Sequence, residues 1–160
     1  MLLSILFTDI VDSTATAVRL GDRSWRSLIA SHHVLMREYL PRFRGREIRS
    51  TGDGICAVFN TPTQAIECAV ALCEAVRNLG VEIRAGIHTG ECELVGDALE
   101  GLAVHIAARV AACAQGSEIL VSRTVTELVT GSGISFTERS TEFFKGVPGE
   151  WPVFRVEPSD

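Results

Sequence analysis

Residues 50–59, Ser50-Thr51-Gly52-Asp53-Gly54-Ile55-Cys56-Ala57-Val58-Phe59, are the stretch on which the fold turns. Two short strand-forming segments, 47–50 and 55–59, flank Thr51-Gly52-Asp53-Gly54. An Asp-Gly signal between such segments reads as a hairpin, because both residue types tolerate the backbone that a tight turn needs. The hairpin sits between two helical stretches, so it decides how the neighbouring strands can be ordered.

Upstream, residues 2–8 form a nearly continuous apolar run suited to a central strand. A helical stretch follows over 14–40, broken at Gly21-Asp22, with Pro41 as its terminator. Trp25, Leu28, Ile29, Leu35, Met36 and Tyr39 recur at helical spacing and are expected to face the core. Downstream, Thr61 at the N-cap, Pro62 at the first helical position and Gln64 completing a capping box open the next helix. Ile66, Ala69, Val70, Cys73 and Val76 make its expected buried stripe, and Gly80 ends it. Residues 81–88 read as a strand, with 91–95 as its hairpin partner across Thr89-Gly90. An Ala-rich helix over 101–114, a strand at 118–121 and a short helix over 123–129 capped by Ser122 follow. Segments 135–143 and 152–156 close the chain as a terminal hairpin.

The first part therefore runs β-α-β-β-α-β, the order of the ferredoxin-like motif. Its sheet sets the third strand antiparallel beside the first, which brings the end of the first strand to the hairpin turn. Asp9 is thereby expected beside Asp53. The fold class is α+β, a ferredoxin-like palm with a small C-terminal α/β extension. No linker, repeat or low-complexity tract divides it, and residues 1–160 are expected to form one domain.

Composition narrows the function. The chain is 46% hydrophobic and 22% charged, enough for a sizeable core under a polar surface. A net charge of −5 gives no electrostatic case for nucleic acid or an anionic membrane as partner. The opening MLLSILF lacks a basic flank and runs straight into Asp9 and Asp12, so it reads as a buried strand rather than a signal peptide. Cys56, Cys68, Cys73, Cys92 and Cys113 sit in apolar stretches and read as reduced core residues of a cytoplasmic protein. Walker A, GxGxxG and GxSxG motifs are missing, which removes P-loop NTPase, dinucleotide oxidoreductase and serine hydrolase as leading options.

Two carboxylates converging at a strand end, with glycines allowing close approach, suit Mg²⁺ or Mn²⁺ held together with phosphate oxygens. Taken singly, Asp9 reads equally as a helix cap and Asp53 as a turn residue. His105 and Arg109 are one helical turn apart and share a face, from which a guanidinium can neutralise charge building on a phosphoryl group; taken alone they read sooner as a surface or domain-bridging Arg and a His satisfied by a neighbour. Arg49 and Lys145, the only lysine, are cations within reach of a phosphate or base in one reading and solvated charges in the other. His32, His33 and His88 show no metal-ligand spacing, and His88 reads as structural.

Six segments in order resemble the class III adenylyl and guanylyl cyclase catalytic domain, particularly its bacterial subgroup. They are LFTDIVDST (6–14), STGDGICAVF (50–59), IRAGIHTGECEL (83–94), GLAVHIAARVAACA (101–114), EILVSRTV (118–125) and FKGVPGEWPVFRV (144–156). The resemblance implies a fold of the nucleotidyl cyclase type and conversion of ATP to 3′,5′-cyclic AMP and pyrophosphate with two divalent cations, Mg²⁺ or Mn²⁺. It implies Asp9 and Asp53 as metal ligands, the Ile10 carbonyl as a backbone ligand, and Arg109 as the residue that stabilises the transition state. It also implies a homodimer whose two subunits share each active site. Thr51, Gly52, Arg49, Asp97, Ala98 and Lys145 are the candidate substrate-binding positions. The family's pattern is altered in three places. Its adenine-selecting lysine falls at Arg49, its adenine-reading acid or hydroxyl falls at Ala98 beside Asp97, and its transition-state asparagine falls at His105. Two alternatives stand beside the adenylate cyclase reading: a weak or silent homologue that binds nucleotide or a partner chain, and a cyclase of relaxed base specificity.

Overall fold

The computed structural model describes residues 1–158, with Ser50 and Thr51 described by their backbone alone. Strand β1 (Leu2–Ile10) is followed by helices α1 (Ser13–Leu20) and α2 (Asp22–Arg42), then by the hairpin β2 (Arg46–Thr51) and β3 (Gly54–Phe59). Helix α3 (Pro62–Arg77), β4 (Ile83–Glu91), the short strands β5 (Glu93–Val95) and β6 (Ala98–Glu100), and α4 (Leu102–Ala112) come next. The chain closes with β7 (Ile119–Ser122), α5 (Arg123–Leu128), β8 (Phe136–Glu142) and β9 (Trp151–Val156). Seven strands form one sheet in the order β2-β3-β1-β4-β7-β9-β8. Its first four strands are the ferredoxin-like palm, and β7, β9 and β8 continue the sheet as the C-terminal extension.

β1 is central because both of its faces are apolar. Leu6 and Ile10 enter the larger core with α2 and α3, whereas Leu3 and Ile5 pack with Ala103 and Ala107 of α4. It pairs antiparallel with β3 from Ser4↔Phe59 to Thr8↔Ile55, and with β4 from Leu2↔Glu91 to Ile10↔Ile83. Glycine in β4 lets α4 lie directly on the sheet. A Cβ on Gly86 would stand 2.2 Å from the backbone nitrogen of Ala111, and one on Gly90 would stand 2.8 Å from the Ala103 Cβ.

Several expectations change against this frame. β4 does not turn at Thr89-Gly90 but runs on to Glu91 beside β1, because the Thr89 hydroxyl is buried against Ser4 Oγ at 2.7 Å and Gly90 makes room for α4. The expected partner segment forms a separate two-stranded ribbon, β5 with β6. Pro41 lies inside the last turn of α2, and the helix ends one residue on at Arg42, after which the amides of Phe43 and Gly45 both turn onto the Leu40 carbonyl. Thr61 Oγ1 does accept from the Gln64 amide at 3.2 Å, but Gln64 Oε1 is buried without a partner, so the capping box is only half made. Ser122 precedes α5 without capping it, since its hydroxyl bonds His88 Nδ1 at 2.6 Å. On α2 the fully buried residues are His32, Met36 and Leu40. Trp25, Leu28, Ile29, Leu35 and Tyr39 flank them half-buried.

The cysteines are free, and only Cys113 is partly accessible. Among the described residues no helix is long and apolar enough to cross a membrane. His88 is structural, as its sequence context suggests: it is buried, bonded to Ser122, and edge-on to Trp151.

Burial pushes both His32 and His88 down to about 4, with the neighbouring His33 adding to the effect at His32. A histidine lowered in the fold binds its proton more readily in the unfolded chain. Stability is therefore full above the ordinary histidine value of about 6.5 and falls as pH drops towards 4. His32 also buries two ring nitrogens without partners, an arrangement that costs about 1–3 kcal/mol. Denaturant titrations at pH 7 and pH 5 are expected to show a clear loss for the native sequence and a smaller one for His32→Leu.

Candidate active site

The site begins at the carboxyl end of β1. The register that pairs Thr8 with Ile55 brings Gly54 against Asp9. Gly54 has to be glycine, because a Cβ there would stand 2.2 Å from the Thr8 carbonyl oxygen and 3.2 Å from the Asp9 Cβ. This close approach carries the Gly52-Asp53 turn to the end of β1, with Gly52 at φ +57°. Asp9, Ile10 and Asp53 then line one open cleft of about 780 Å³, together with residues 11–15 at the start of α1, Arg84 and Ala114. The convergence expected of Asp9 and Asp53 is thus present.

Arg84 is the site residue that the sequence reading missed. It lies directly across from Asp9 in the β1–β4 register. Its Nε donates to Asp9 Oδ1 at 2.7 Å and its Nη2 to Oδ2 at 3.1 Å, a bidentate pair. Its Nη1 donates to the Ala112 carbonyl at 3.1 Å, at the C-terminal end of α4, where the helix dipole favours a cation. The bond to Asp9 raises the guanidinium above its ordinary pKa, so it stays charged. One signal was available: a charged residue in the apolar segment IRAGIH of a central strand needs a counter-ion on an adjacent strand.

The other candidates lie elsewhere on the same chain. His105 and Arg109 are exposed on α4, Arg49 is exposed on β2, and Lys145 is exposed in the β8–β9 connection. Asp97 and Ala98 are exposed on the β5–β6 ribbon. Gly52 lines a neighbouring cavity of about 580 Å³ with Asp53, and Thr51 ends β2 with its side chain outside the described residues. None of Arg49, Asp97, Ala98, His105, Arg109 or Lys145 lines the Asp9–Asp53 cleft.

The cleft's side-chain donors are hard oxygens, the carboxylates of Asp9, Asp12 and Asp53 and the hydroxyls of Ser13 and Thr14, with Ile10 on the same lining. Such a set fits Mg²⁺ or Mn²⁺ completed by water and ligand oxygens. Among the described residues no group of three or more His, Cys, Asp or Glu side chains gathers to hold a metal alone. A cation here would share its coordination with a bound oxyanion.

The order β2-β3-β1-β4, with Asp9 at the end of β1 and Asp53 in the β2–β3 turn on one cleft, defines a ferredoxin-like palm that carries an acidic site. The chain belongs to the family described as "Adenylate and Guanylate cyclase catalytic domain", whose sequence pattern matches residues 2–157. A Rhizobium meliloti protein provisionally called adenylate cyclase 3 is 26% identical over 168 residues, covering 99% of this chain and 29% of that protein. The chain therefore spans less than a third of that relative's length. The adenylyl cyclase CyaB from P. aeruginosa superposes with a TM-score of 0.91 at 20% identity, covering 99% of this chain and 95% of that one. The guanylate cyclase domain of RhGC from Catenaria anguillulae, solved in complex with GTP, gives 0.88 at 17% identity, covering 99% and 97%. At these identities the structural likeness concerns the fold.

The clearance at Gly54 supplies a direct check. Gly54→Ala is expected to push β3 off β1 and to destabilise the protein by about 1–3 kcal/mol, the range for overpacking a tight contact. Equilibrium unfolding measures the loss, and Gly96→Ala, at a site with open space around it but φ +62°, is the control for backbone strain alone.

Proposed function

We propose that this domain is an adenylate cyclase, converting ATP to 3′,5′-cyclic AMP and pyrophosphate at sites shared by two copies of the chain. The observation that carries the reading is the placement of Asp9, Ile10 and Asp53 on one cleft within a fold of this family. Asp9 and Asp53 would hold two divalent cations, with the Ile10 carbonyl as a further ligand. The chemistry such cations supply is Lewis-acid activation of the ribose 3′-hydroxyl and neutralisation of triphosphate charge. The start of α1 lines the same cleft, and its unpaired backbone amides suit phosphate oxygens. Arg84, paired with Asp9, would give a hydrogen bond to the triphosphate once a cation took the carboxylate. The 3′-hydroxyl would give up its proton to water as its oxygen attacks the α-phosphorus in line, and the bond from the α-phosphorus to the bridging oxygen would break to release pyrophosphate.

Arg109 and His105 support a shared site. They are exposed on α4 and stand outside the cleft of their own chain, so a second copy would have to supply them. Arg109 would stabilise charge on the phosphoryl group as it transfers, and His105 would donate a hydrogen bond beside it. Adenine recognition would fall to Arg49 and Asp97, with Thr51, Gly52 and Lys145 around the nucleotide. The Ala98 side chain has no hydrogen-bonding group, and this favours a second reading in which base selection is relaxed and GTP is also accepted.

Purified protein given ATP or GTP with Mn²⁺ is expected to yield cyclic AMP in excess over cyclic GMP, with products identified by mass. Asp9→Ala and Asp53→Ala are expected to reduce the product to background, and Arg109→Ala to slow it by about 100- to 1,000-fold. Comparable rates with both nucleotides would favour the relaxed reading, and no product from a folded protein would favour the silent one. A 1:1 mixture of Asp53→Ala and Arg109→Ala is expected to recover part of the activity, since each mixed pair rebuilds one intact site. Recovery absent at every protein concentration would remove the shared-site proposal.

A further inference from the structure

Helix α2 makes a contact with the Asp53 turn that neither the family nor the cleft chemistry assigns. His33 Nε2 lies 3.1 Å from the Gly52 carbonyl oxygen. A carbonyl only accepts, so Nε2 must carry the hydrogen, whether the ring is neutral or charged. Among the described residues His33 is the side chain that hydrogen-bonds this turn.

The bond acts at a significant point in the chain. The Gly52 carbonyl and the Asp53 amide belong to one planar peptide, so fixing the oxygen fixes the plane from which Asp53 departs. The hairpin alone leaves that plane weakly determined. β2 and β3 pair up to Thr51↔Gly54, and beyond that only Gly52 and Asp53 span the tip. Gly52 contributes the most permissive backbone of any residue. Beneath the tip is a cavity of about 580 Å³ lined by Trp25 and Ile29 of α2 and by α1, so close packing does not hold the turn from that side. Trp25, Ile29 and His33 follow one another at four-residue intervals along one face of α2. The opposite support is firm: His32, Met36 and Leu40 anchor α2 in the core.

We propose that His33 is a positioning residue that ties the Gly52-Asp53 peptide to α2 and so sets the direction of the Asp53 carboxylate at the cleft. The role rests on the metal-dependent reading above for its consequence, and on the turn geometry for its existence. His33 does not line the cleft that holds Asp9 and Asp53.

The test compares His33→Ala, His33→Gln and His33→Asn with the native protein. A glutamine amide nitrogen can occupy nearly the place of Nε2, whereas the shorter asparagine amide reaches only the Nδ1 position. Hydrogen exchange of the turn amides at 52–55 is the first readout, and Mn²⁺ affinity by electron paramagnetic resonance is the second, with Asp53→Ala beside them. Exchange at the turn should rise roughly fivefold in the Ala and Asn variants, the factor carried by one ordinary hydrogen bond, and stay near native in Gln. Mn²⁺ affinity should fall by a similar factor in the same two variants. Native exchange rates in His33→Ala, or Gln behaving as Ala does, would overturn the proposal. So would faster exchange with unchanged Mn²⁺ affinity when Asp53→Ala abolishes binding. Mn²⁺ binding that ignores Asp53→Ala would overturn the metal reading alone, and exchange at the turn would still decide the role of His33.

Discussion

The close approach of β3 to β1 at Gly54 is the constraint on which the site depends. A hydrogen atom in place of a side chain lets Gly54 sit over the Thr8 carbonyl and the Asp9 Cα, where a Cβ would stand 2.2 Å from an oxygen. The hairpin turn can then reach the carboxyl end of β1. The same device recurs on the other side of β1's partner strand, where Gly86 and Gly90 admit α4. The central strands are thus thin at the points where the site and the α4 face are built. Elsewhere Ile5, Leu6, Ile55, Ile83 and Ile87 make them thick and apolar.

That geometry leaves a carboxylate at the end of a buried strand, and the protein meets its electrostatic demand with Arg84. The pair is part-buried, with both donors of a planar fork on both oxygens of Asp9, and the remaining donor on the C-terminal carbonyls of α4. A guanidinium held on three sides moves little, so Asp9 is oriented before any ligand arrives. On the proposed reading, a cation on Asp9 would compete with Arg84 for the same oxygens, and an incoming triphosphate would resolve that competition by offering the guanidinium another anion.

Much of this was legible in the sequence because it rests on local signals. The Asp-Gly hairpin, the Thr61-Pro62 helix start and the apolar run of β1 together imply the palm order and, through it, the meeting of Asp9 with Asp53. What escaped was set by tertiary contact. Thr89-Gly90 looks like a turn, yet a buried hydroxyl pair with Ser4 and the approach of Ala103 keep β4 extended. Ser122 looks like a cap, yet His88 takes its hydroxyl. Arg84 was hidden because its partner lies 75 positions away, and cross-strand register is not a local property. His32 and His33 show the same limit: adjacent in sequence, they face a dry core and a polar turn respectively.

The distribution of cations carries the last step. Arg84 is spent on Asp9, while Arg49, Arg109 and Lys145 are all exposed and outside the cleft that holds both aspartates. A triphosphate bound there would meet the helix start, Arg84 and whatever cations the carboxylates hold. It would lack any side chain of the same chain to neutralise charge opposite the leaving group. An exposed Arg109 on α4 makes sense if it completes a neighbour's cleft, where removal from water would strengthen its attraction to a phosphoryl group. On the proposed reading association and catalysis would be one property of the domain, because the half of the site that orients the reactant would come from one copy and the half that stabilises its charge from the other.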